Sequence, residues 1–177
     1  MIISVEEARK LVDIPAKWTD EKKLYMKLKA IEQTIRKYTN NNFQDTAYRV
    51  TADIVGGLFL CTEGDVRFSI GDTVQVSESG YNAGLYTIAS VDDMSFTTEE
   101  EVSSEISVLV TKVSYPDDVV DCAINLLEWD IKNRQKVGIK SETLSRHSVT
   151  YEDSTSMFHG YPKGILNAVK LYKKARF

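Results

Sequence analysis

Apolar residues recur at helical spacing near both ends of the chain and at alternate positions through its middle. Ser4-Val-Glu-Glu7 has capping-box spacing: the Ser4 hydroxyl accepts from the Glu7 N–H, and the Glu7 carboxylate reaches back. This predicts a short helix to about Val12, stopped by Pro15. A second helix is expected from Thr19 or Asp20, with Leu24, Leu28, Ile31 and Ile35 marking one face. Lys22, Lys23, Lys27 and Lys29 fall mostly off that stripe. Thr39-Asn-Asn-Asn42 ends it, because Asn competes for backbone hydrogen bonds and tolerates left-handed geometry.

From Tyr48 the period becomes two, with Tyr48, Val50 and Ala52 pointing one way. Gly56-Gly57 offers a tight hairpin turn into Leu58-Phe-Leu60. Ile70-Gly-Asp72 turns into Thr73–Val76, and Asn82-Ala-Gly84 turns into Leu85–Ala89. Asp92-Asp93 separates that strand from Met94–Thr97, and Ile106–Val113 closes the series. Short strands with turn signals between them imply a small barrel or sandwich.

Helical spacing resumes at Pro116, a residue suited to a first helical position. Val120, Ala123, Ile124, Leu127 and Ile131 form the expected stripe, and Gly138 suits a C-terminal cap. Residues 141–151 read as extended, with Val149 and Tyr151 on one face, and Glu152–Gly160 as a polar loop. Pro162 opens a last helix with Ile165, Leu166, Val169 and Tyr172 inward. The expected fold class is therefore α+β: a small helical bundle of about four helices plus an extended arm, carrying an inserted small antiparallel β-barrel or sandwich. The helical domain is expected to be discontinuous, 1–46 and 114–177, around a β domain at 47–113.

Charge separates the same two parts. Residues 46–113 carry eleven acids against three bases, a net of −8, which leaves +4 for the rest of a chain whose total is −4. At 177 residues, 42% hydrophobic and 27% charged, the composition is that of an ordinary globular chain. No apolar run is long enough to cross a bilayer, and MIISVEEARK lacks the basic and apolar regions of a secretory signal. Cys61 and Cys122, far apart and outside any CxxC pair, read as buried thiols rather than a disulfide or metal site.

No familiar reactive pattern emerges. GxSxG, GxxxxGK[ST] and a GxGxxG after a strand are all absent. His147 and His159 are the only histidines; twelve residues apart on a polar segment, they fit no known ligand spacing. Glu99-Glu100-Glu101 lacks the alternation and glycine turn of a calcium loop and reads as solvated. The lysines of the second helix and the basic end, Lys170, Lys173, Lys174 and Arg176, suit either a solvated surface or phosphate contacts. No enzyme activity, metal or cofactor is expected.

Three stretches taken in order resemble the head–tail connector (head-completion, or adaptor) proteins of long-tailed bacteriophages. The first is Ile3-Ser-Val-Glu-Glu-Ala-Arg-Lys-Leu11 with the helix end Ile35-Arg-Lys-Tyr-Thr-Asn40. The second runs from Tyr115-Pro-Asp-Asp-Val-Val-Asp-Cys-Ala123 through Trp129 to Val137-Gly-Ile-Lys-Ser-Glu-Thr143. The third is Ser148-Val-Thr-Tyr151, Gly160-Tyr-Pro-Lys-Gly-Ile165 and Tyr172-Lys-Lys-Ala-Arg-Phe177. Together they cover most of 1–45 and 114–177, and many members of that family have a short loop where this chain has its β segment.

The resemblance implies a structural virion assembly protein, without catalysis. It would form a ring of about twelve copies through heterologous contacts, docked between the portal and the tail or stopper protein. It would sit at the virion head–tail junction, and in the host cytoplasm during assembly, letting genomic DNA pass without sequence specificity and meeting no membrane. The candidate oligomer or partner contacts are Val149, Tyr151, Tyr161, Lys170, Lys173, Lys174 and Arg176. The polar arm 139–160 would gain its hydrogen bonds on the next subunit. The alternatives are a nucleic-acid-binding regulator drawing on the basic helices, or a small hydrolase using His147 or His159.

Overall fold

The computed structural model describes residues 1–15, 18, 20–62, 66–133, 141–144, 147–150 and 156–175. The described chain divides into two units: 42–114 together with Met1, and 2–41 together with 115–177.

The second unit begins with α1 (Val5–Leu11), whose Ser4 and Glu7 form the reciprocal capping box at 3.1 and 2.7 Å. Helix α2 (Glu21–Thr39) is capped by the Asp20 carboxylate, which accepts from the N–H groups of Lys22 and Lys23. Its buried stripe is the expected Leu24, Leu28, Ile31 and Ile35, and it stops at Asn40, which is left-handed at φ 49°. Helix α3 (Asp117–Asn133) begins just after Pro116, and the expected cap Gly138 lies outside the described residues. Its buried face differs from the expected one. Val119, Cys122, Ala123, Leu126, Leu127 and Asp130 face inward, while Val120, Ile124 and Ile131 are only half-buried.

Asp130 is the one inward position of α3 that apolar spacing could not supply. Its Oδ2 accepts from the Lys27 ammonium at 3.1 Å and from the Tyr161 hydroxyl at 3.0 Å. A carboxylate so bonded is tolerable inside a protein, whereas a reading of apolar periodicity turns it outward. A second polar link joins Tyr115 to α2: its hydroxyl donates to the buried Glu32 at 2.5 Å and accepts from Arg36 at 3.1 Å. Burial, reinforced by the Glu32 charge, pushes the Tyr115 hydroxyl far above its usual range.

The first unit is a closed antiparallel barrel of β1 (Gln44–Val55), β2 (Leu58–Cys61), β3 (Thr73–Ser77), β4 (Gly84–Val91), β5 (Ser95–Thr98) and β6 (Glu105–Val113). The strands are ordered β1-β2-β5-β4-β3-β6, and β6 pairs back on β1 to close it. Register shifts between Asp45 and Arg49 and between Ala52 and Ile54 bend the long β1 around the barrel. Gly56 and Gly57, at φ 58° and 89°, make the β1–β2 hairpin turn that needs two left-handed residues. Phe59 and Phe96 stack in the core with centroids 4.6 Å apart, and Phe68 meets Phe96 edge-on.

The two chain ends of the barrel lie side by side and form its neck. Gln44 pairs with Val113, and the Ser114 N–H donates to the Phe43 carbonyl at 2.9 Å. Phe43 itself is left-handed, at φ 51°, an uncommon state for a bulky residue.

These elements correct the expected fold class, a small bundle of about four helices plus an extended arm with an inserted small antiparallel β-barrel or sandwich. The β unit is a fully closed six-stranded barrel, a principal part of a mixed helix-and-strand chain. The expected arm is not a single extended segment: β7 (Ser141–Leu144) and β8 (His147–Thr150) pair antiparallel, with Glu142 opposite Val149. After them, β9 (Met157–Phe158), in the expected polar loop, and β10 (Tyr161–Pro162), just beyond it, form a small hairpin. The expected last helix is one short turn, α4 (Lys163–Leu166), continued as a 3-10 helix at Asn167–Tyr172. Gly164 and Asn167 lower its helix propensity, although Leu166 and Val169 are buried as expected.

Candidate functional site

Two surfaces concentrate unusual exposure, one on each unit. On the helical unit, the 3-10 helix ends beside the C-terminus of α2. The Lys174 N–H donates to the Thr39 carbonyl at 2.8 Å, and the Asn40 amide donates to the carbonyls of Lys174 and Ala175. The Asn41 amide similarly donates to the Tyr172 carbonyl at 3.1 Å. The Asn run that ends α2 therefore also ties down the basic segment. Lys173 lies over the Tyr38 ring, 3.9 Å from its centroid, a cation–π contact. Lys170, Lys173 and Lys174 are exposed, and between them Leu171 is 93% exposed.

On the barrel, the antiparallel order puts the β1–β2 turn, the β3–β4 loop (78–83) and the β5–β6 loop (99–104) at one end. The chain enters and leaves at the other. The three loops are bonded to one another. Glu105 accepts from the Ser79 hydroxyl at 2.5 Å, the Gly80 N–H at 2.6 Å and the Asn82 amide at 2.7 Å. Those bonds, the Ser79 hydroxyl first and the Gly80 N–H next, hold its carboxyl at a pKa of about 2. Asn82 also exchanges two bonds with the Ser103 backbone, and the Gly56 N–H donates to the Ser104 hydroxyl at 3.2 Å.

That end displays large apolar side chains. Tyr81 is 83% exposed and Ile106 79% exposed, with Val55 beside the hairpin turn also exposed. Ile106 breaks the alternation of β6: Val108 and Val110 fill the core, and the same parity would send Ile106 inward. Ser107, left-handed at φ 58° with its N–H donating to Asp53 Oδ1 at 2.8 Å, turns Ile106 out. Glu78, Glu99 and Glu101 are exposed around it. Glu100, expected to be solvated with them, accepts instead from the Thr87 N–H at 2.8 Å.

The sequence-derived contact residues divide. Lys170, Lys173 and Lys174 are at the surface as expected. Tyr161 is 2% exposed and hydrogen-bonded to Asp130, so its ring is a core element with no surface to offer a partner. Val149 lies in β8, and Tyr151 and Arg176 fall outside the described residues. Leu171, Tyr81 and Ile106 were missed. Leu171 is signalled by an apolar residue inside a lysine run, whereas Ile106 is visible only once the Ser107 backbone is known.

Cys61 and Cys122 are buried free thiols, and burial pushes Cys122 up to about 11, so neither is a ready nucleophile. His159 sits left-handed in the β9–β10 turn with its ring against Phe158. Among the described residues no group of three or more His, Cys, Asp or Glu could hold a metal ion, and no helix is long and apolar enough to cross a membrane. No known family model matches the chain, and no curated protein matches it.

Proposed function

We propose that this protein is a structural subunit of a bacteriophage virion. It forms an oligomeric ring that joins the portal of the head to the tail and extends the channel for the passing genome. The observation that carries this reading is how the connector-like stretches are arranged. Their described parts, in 3–11, 35–40, 115–129, 141–143, 148–150, 160–165 and 172–175, all belong to one unit. The barrel segment begins and ends at one place, the neck where Phe43 and Ser114 are hydrogen-bonded. Without the barrel, α2 would pass to α3 through a short loop, as in many connectors of the resembling family.

The role is one of assembly rather than catalysis. The exposed Lys170, Lys173 and Lys174 supply charge for a partner surface, and DNA passes without being read. The subunit would act at the head–tail junction after assembling in the host cytoplasm. Mixing the full chain with the portal protein of the same phage, then imaging by electron microscopy, tests this. The expected image is a ring of about twelve copies on one face of the portal. A chain that never leaves the monomer and never binds portal overturns the proposal.

A further inference from the structure

We infer that the loop-bearing end of the barrel docks on the basic, Leu171-bearing end of the helical unit of a second copy of this chain. The inference rests on the ring reading for its biological setting, but its argument is separate.

The barrel end is built to be presented. A β-branched apolar residue is turned out of the core by the left-handed Ser107, a conformation that costs energy and is fixed by Asp53. Tyr81 stands at the tip of a loop whose residues 79–82 are all bonded to Glu105 or its neighbours. A loop already ordered loses little entropy on binding, which favours affinity. Exposed Tyr81 and Ile106 together are the kind of aromatic and aliphatic anchor that protein interfaces use.

Charge selects the occupant. The barrel segment carries −8 and its exposed end has Glu78, Glu99 and Glu101 around the apolar residues. The complementary surface is an apolar knob among cations, and this chain has one: Leu171 among Lys170, Lys173 and Lys174. Like-charged copies of either surface would repel, so each contact pairs the barrel end of one copy with the helical end of another. A head-to-tail contact repeats from copy to copy until it closes.

The test uses full-length variants with reversed charge at one surface each. Glu99→Lys with Glu101→Lys makes the barrel end basic; Lys170→Glu with Lys174→Glu makes the helical end acidic. None of these four side chains belongs to the bonds that hold its own surface, and circular dichroism checks that each variant is folded. In sedimentation velocity at low salt, the wild-type chain is expected to self-associate, and each variant alone to lose at least tenfold in affinity. A 1:1 mixture restores wild-type association, because acidic and basic surfaces then alternate from copy to copy. Added salt weakens the wild-type assembly, and Ile106→Ser or Leu171→Ala weakens it at every salt concentration.

Folded variants that associate like wild type, or a mixture that fails to recover, overturn the contact. So does a wild-type chain that stays monomeric at every concentration. The ring reading is judged separately, by whether the chain assembles on portal. Rings on portal with unchanged assembly of both variants leave that reading standing and remove this one.

Discussion

The ammonium of Lys27 on α2 and the carboxylate of Asp130 on α3 meet at 3.1 Å, the acid fully buried and the base about one quarter exposed. The Tyr161 hydroxyl joins the same oxygen, so three separate parts of the helical unit converge on one charge. The asymmetry in exposure sets what each substitution should do.

Removing the base leaves a buried carboxylate, whereas removing the acid leaves an ammonium that water can reach. Lys27→Met is therefore expected to cost about 2–3 kcal/mol, at the low end for a broken buried pair because Lys27 is partly exposed. Adding Asp130→Asn should recover most of it, since Asn is neutral and still accepts from Tyr161. Urea unfolding measures both. A double variant no better than Lys27→Met would mean that the charge is not the source of the loss.

The barrel core offers a second measurement. Phe59 stacks on Phe96 and is fully buried, so Phe59→Ala should destabilise the barrel by about 3–5 kcal/mol. The expected result is an early loss of the barrel, followed by amide exchange in β1–β6, with α2 and α3 still protected. Simultaneous loss of both units would show that they unfold as one.

The neck makes a related prediction about chain surgery. Replacing 44–113 by a short glycine-serine linker should leave a soluble protein whose helical circular dichroism matches α1 to α4, because the ends to be joined already lie together. Recovery only as aggregate would show that the helical unit needs the barrel to fold.

Glu105 gives a pH dependence with a definite sign. Its carboxyl sits at about 2 in the folded barrel against an ordinary 4.5, so its bonds stabilise the loop above 4.5 and fade as pH falls toward 2. Glu105→Gln should speed exchange of the Gly80 and Tyr81 amides at neutral pH. The difference from wild type should shrink between pH 4.5 and 2. A constant difference across that range would point to shape rather than charge as what holds the loop.

Local signals in the sequence were readable where one residue decides the outcome. Ser4 and Glu7 cap α1, Asn40 ends α2, and Gly56-Gly57 turns the hairpin, each for a backbone reason independent of distant contacts. The α2 stripe was equally plain because Leu24, Leu28, Ile31 and Ile35 keep helical spacing, although Glu32, Thr34 and Thr39 are buried beside them. The α3 face was misread because its inward positions include Cys122 and Asp130, and an acid turns inward only when partners from α2 and β10 are known. Closure of the barrel depends on pairing β1 with β6 across more than fifty residues, which no local period reveals. Of the candidate contacts, the lysines could be read from composition. Tyr161 could not be assigned, since an aromatic in a polar stretch suits a surface or a core alike.

The neck also determines how the molecule would respond to force. A pull that separates the end of α2 from the start of α3 acts on the adjacent ends of β1 and β6, across the Phe43–Ser114 bond and then the Gln44–Val113 pair. Those bonds are loaded one after another, like the teeth of a zipper, rather than together as in shear. The seam that closes the barrel is therefore its tear line: tension between α2 and α3 opens it from the Phe43–Ser114 end, one rung at a time.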